Sequence, residues 1–125
     1  MKIVKIIAAA VLVSTSAAAH ELTPTYPELR PAFVDNVLVT TMKMWNRRND
    51  TKYYEIQDFD SEWKKIPFAS TDKIIKIGYL EHKTFDVYIR EKDAKIAEFI
   101  CTVSKQLKQD VISTGVKSKI CSRIR

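Results

Sequence analysis

The feature that most constrains this chain is a strict two-residue alternation that surfaces twice. From Thr84 to Arg90, Phe85, Val87 and Ile89 fall in one phase and Asp86, Tyr88 and Arg90 in the other. From Val116 to Arg125, Val116, Ser118, Ile120, Ser122 and Ile124 alternate with Lys117, Lys119, Cys121, Arg123 and Arg125. A period of two belongs to strands with one buried face; a helix would repeat every 3.6 residues. Further segments follow the same rule. Leu38, Met42 and Met44 share a phase within Val37 to Trp45, as do Tyr54 and Ile56 within Tyr53 to Phe59. Asp58, Asp60 and Ser61 read as turn residues, because their side chains bond nearby backbone, and Trp63, Ile66 and Phe68 are expected to return toward the core.

Ile74 to Tyr79 and Glu98 to Ser104 supply two more strands, Glu91 to Lys95 a charged connection with one helical turn, and Lys105 to Asp110 a polar loop. Leu22 to Arg30 contains Pro24 and Pro27, which confines it to a sheet margin, since proline cannot donate to a central ladder. About seven strands with turns at short intervals predict an all-β chain folded as an immunoglobulin-like sandwich.

The first nineteen residues are of a different kind. Lys2 and Lys5 precede an apolar run from Ile6 to Val13, and small residues end at Ala17-Ala18-Ala19, the three parts of a cleavable signal peptide. Residues 1–19 are therefore read as the signal and 20–125 as one domain, periplasmic or secreted. The apolar run is too short to span a bilayer, so no membrane anchor is expected. In such a compartment Cys101 and Cys121 are expected to pair, closing a loop whose entropy corresponds to about 3 kcal/mol of stability.

Charge narrows the function. Residues 20–116 carry 15 basic and 15 acidic side chains, and Lys117, Lys119, Arg123 and Arg125 add the surplus in the last nine positions. A nucleic-acid binder would spread its basic residues over a face and interleave aromatic platforms, so nucleic acid is not an expected partner. No hydrolytic triad or phosphate-cradling glycine loop is present, and no enzyme activity or obligatory cofactor is expected. One metal reading exists: cleavage after Ala19 makes His20 the first residue, able to chelate copper through its amine and imidazole, with His82 as the second ligand.

Three stretches resemble the N-terminal domain of periplasmic pilus-assembly chaperones, in a divergent, single-domain form: Leu22-Thr23-Pro24-Thr25, Met42-Lys43-Met44-Trp45-Asn46, and Ser118 to Arg125. The resemblance implies an immunoglobulin-like domain that binds a protein partner by strand addition. In it Val116, Ile120 and Ile124 would be donated to the partner and Arg123 would hold a partner carboxylate, while Tyr26 stands where the family has arginine. One branch of that family carries a disulfide between its last two strands, which matches Cys101 and Cys121. The same fold also serves as a structural component of extracellular or virion assemblies, the alternative expectation.

Overall fold

The computed structural model describes residues 20–105 and 117–125. Val116 and nearly all of the loop expected at Lys105 to Asp110 lie outside the described residues. The elements in chain order are β1 (Glu21–Thr23), β2 (Arg30–Pro31), β3 (Val37–Trp45), β4 (Tyr53–Asp60), β5 (Ile74–Lys76), β6 (His82–Arg90), α1 (Glu91–Ala94), β7 (Ala97–Lys105) and β8 (Lys119–Arg123).

Two antiparallel sheets result. In the first, β6 runs along the whole of β3, while β1 and β2 share the opposite edge of β3, at Lys43 to Trp45 and at Leu38 and Val39 respectively. In the second the order is β5-β4-β7-β8. Pairing of β3 with β6 in one sheet, and the order β4-β7-β8 in the other, is the immunoglobulin-like sandwich expected from the alternation. The stretch with two prolines divides as its composition requires: β1 and β2 are separate short edge pieces.

The core lies between the sheets. Met42, Met44, Val87 and Ile89 from the first sheet meet Tyr54, Ile56, Ile75 and Ile100 from the second. Burying side chains of this size contributes about 2–3 kcal/mol each before entropic costs. The expected inward phases hold for Met42 and Met44 of β3, Tyr54 and Ile56 of β4, and Phe85, Val87 and Ile89 of β6, whereas Leu38 is only half-buried and its out-of-phase neighbour Val39 is buried.

Two expectations are corrected. Asp58 is not a turn residue: it lies inside β4, in the inward phase of Tyr54 and Ile56, and is 1% exposed. The turn begins two residues later, after an irregularity in the β4–β7 ladder between Phe59 and Asp60. Trp63 does not enter the core; it is 51% exposed and stacks on Phe99 with ring centroids 4.2 Å apart and planes 4° from parallel. Ile66, by contrast, is buried as expected.

Candidate functional site: the open edge of the last strand

β8 is the outermost strand of the second sheet, and its alternation decides what each residue does. Ser122 is buried, Ile120 and Ile124 are half-buried, and Lys119, Arg123 and Arg125 are exposed. The backbone alternates too. Ile124 N–H donates to the Glu98 carbonyl and Ser104 N–H donates to the Ser118 carbonyl. Even-numbered residues of β8 therefore turn their polar backbone groups toward β7, and odd-numbered ones turn theirs outward. Cys121 opposes Cys101 in a pair without mutual hydrogen bonds, where strands approach most closely; their Cα atoms are 4.0 Å apart and the disulfide is formed.

The outward edge is closed at one end only. Arg123 N–H donates to the Thr25 carbonyl and Arg125 N–H to the Pro27 carbonyl, so the chain following β1 crosses over to cover the last turn of the strand. Among the described residues nothing pairs with the outward N–H and C=O groups of Lys119 and Cys121. That stretch of backbone is unpaired, although β1 packs close to β8.

Side chains along β8 depart from the donor roles that the family resemblance implies. Ile120 and Ile124 pack against this chain's own core, so they are engaged in holding β8 to the sandwich. Arg123 is bound by Glu98 at 2.8 Å, and Arg125 lies 3.5 Å from Glu28. Lys119 is different: its ammonium sits 4.2 Å from the Phe59 ring centre and 5.1 Å from that of Trp63, beside the stacked pair Trp63–Phe99. The turn presenting Trp63 is built by Asp60, whose Oδ1 accepts from the backbone N–H groups of Glu62 and Lys64, each at 2.9 Å. This clamp holds Trp63 at φ 62°, a left-handed conformation that bulky residues rarely adopt.

The histidines are not brought together. His20 lies between the sheets, 2% exposed, its ring nitrogens 3.1 Å from Ser118 Oγ and 2.7 Å from Thr102 Oγ1, and its ring centroid 4.7 Å from that of Tyr54. Burial pushes its pKa down to about 4. His82 is on the exposed outer face of the first sheet, against Trp45. The two rings thus lie on opposite faces of the first sheet, and both His20 nitrogens have hydrogen-bond partners.

Around His20 is a buried polar cluster at the same end of the sandwich. Asn46 Nδ2 donates to the Thr51 and Ile77 carbonyls at 2.8 and 2.9 Å, while its Oδ1 accepts from Arg48 N–H and the Tyr54 hydroxyl. Arg48 is clamped by Asp50 at 2.6 Å, which raises the guanidinium pKa above its ordinary value. Burial pushes the Tyr54 hydroxyl up to about 12, so it stays protonated and donating. These residues fix the turn between β3 and β4 and the start of β1. Hydropathy alone gives no sign that Asn46, Arg48 and Thr51 are interior.

No protein-family model matches this sequence, and no curated protein matches it.

Proposed function

We propose that this chain is an exported protein-binding domain that receives an extended segment of its partner as an added strand beside β8. The observation that carries the reading is the outward row of backbone groups at Lys119 and Cys121, which are without hydrogen-bond partners among the described residues. Strand addition draws its affinity from main-chain hydrogen bonds and its selectivity from flanking side chains, so it needs such an edge and nothing catalytic. The signal-like N-terminus and the Cys101–Cys121 bridge support an exported setting. In this form the resemblance to pilus-assembly chaperones is reduced to its strand edge: Ile120 and Ile124 hold the strand in place, and the partner meets the backbone at Lys119 to Cys121.

Site-specific photo-cross-linking in producing cells tests this. A benzophenone side chain at Lys119 is expected to give one discrete adduct, whereas the same group at Ile74, on the opposite edge of the sheet, gives none. Equal labelling from both edges, or no adduct from Lys119, contradicts the reading.

A further inference from the structure

We infer that the strand received by β8 is acidic, with a carboxylate side chain placed on the ammonium of Lys119; this deepens the strand-pairing reading and rests on it. Four basic residues crowd the last nine positions of the chain, but they are not equivalent. Arg123 and Arg125 already face Glu98 and Glu28. Among the described residues neither Lys117 nor Lys119 has a carboxylate within ion-pair distance; Lys119 lies in the open stretch of the edge and Lys117 just before it. Lys119 rests on the Phe59 and Trp63 ring faces instead, at 4.2 and 5.1 Å. The rings hold the ammonium in place without neutralising it, because a cation over a π face keeps its full charge. A residue directly opposite Lys119 on an added strand has its Cβ roughly 5 Å away, within easy reach of a lysine side chain.

The same two lysines argue against a second copy of this chain as the occupant. Antiparallel pairing of two open edges about a twofold axis between Lys117 and Lys119 sets lysines of one copy against lysines of the other, and an axis at Ile120 or Cys121 sets lysine against arginine. Like charges directly opposed across strands are destabilising, and lysine on an edge is a recognised guard against self-pairing. The edge is therefore closed to itself and receptive to the opposite sign.

Two blocked nine-residue peptides of alternating valine and threonine test this, one with its central threonines replaced by glutamate and the other by lysine. Binding is read from Trp63 fluorescence in a Trp45→Phe background, since the Trp63 ring lies 5.1 Å from the Lys119 ammonium. The glutamate peptide is expected to bind at least about tenfold more tightly than the lysine peptide, the Coulomb contribution of a partly exposed pair. Lys119→Met, which keeps the backbone N–H, should abolish that preference. Lys119→Pro should abolish binding of both peptides: the Lys119 N–H points away from β7, so proline removes the edge donor and leaves the native ladder intact. Equal binding of both peptides, still lost in Lys119→Pro, overturns the acidic inference and leaves strand pairing standing. Binding that survives Lys119→Pro, or no binding of either peptide, overturns both.

Discussion

Asp58→Asn is expected to stabilise this domain at pH 8 by roughly 4 kcal/mol at most and to change it little at pH 3.5. Asp58 is 1% exposed, and among the described residues neither carboxyl oxygen has a hydrogen-bond partner. Burial pushes its pKa up to about 7 from 3.8, and the opposing pull of Lys73 does not offset this. The folded state thus keeps a proton that the unfolded chain gives up across that window. Stability is full below the unfolded value, declines as pH rises through the window, and stays reduced above about pH 7. Asparagine keeps the shape and removes the charge. Urea unfolding at the two pH values decides the matter; a variant weaker than the parent at pH 8 would mean that the carboxylate is held charged by a partner.

His20 acts with the opposite sign. Its pKa is lowered by burial from 6.5 to about 4, so the unfolded chain binds a proton that the folded state refuses, and stability falls as pH drops through that range. Between about pH 4 and 6.5 the slopes from Asp58 and His20 oppose each other, and the parent should be nearly flat in stability there. Asp58→Asn exposes the His20 slope, so the same urea series should find that variant losing stability on acidification.

Asn46→Ala is expected to cost on the order of 4 kcal/mol, since it orphans several buried partners at 1–3 kcal/mol each. Asn46 is fully buried and all four of its hydrogen-bonding positions are used. Losing it leaves the Thr51 and Ile77 carbonyls, the Arg48 amide and the Tyr54 hydroxyl without their partner. A thermal melt shows the effect as a fall of well over 10 °C for a domain of this size. A change below about 1 kcal/mol would mean that water replaces the amide fully.

The parts of the fold that were legible in the sequence are those set by local alternation. Phe85, Val87 and Ile89 face the core because nothing longer-range competes with the pleat, and the signal-like start of the sequence made the Cys101–Cys121 bridge readable. What failed depended on partners distant in sequence. Asp58 resembled a turn residue because Asp60 and Ser61 follow it, yet the ladder irregularity after Phe59 lets the chain turn while Asp58 stays in the inward phase. Trp63 was expected to return toward the core with Ile66 and Phe68, but the Asp60 clamp directs it over Phe99 on the outer face. His20 shares a phase with Leu22 and could have been placed inward on that sign alone; reading it as a free terminus hid this. The last strand was legible from its alternation, but the packing of Ile120 and Ile124 against this chain's own core was not. Whether Ile120 and Ile124 fill their own core or a partner's depends on which sheet lies behind them, and alternation does not tell.

The central claim is that β8 has an open edge at Lys119 and Cys121, and per-residue amide hydrogen exchange in the free protein tests it most directly. The account predicts an alternation along the strand, with the amides of Ile120 and Ser122 protected by β7 and those of Lys119 and Cys121 exchanging orders of magnitude faster. Protection of Lys119 and Cys121 equal to that of their neighbours would show the edge already covered and would contradict the account.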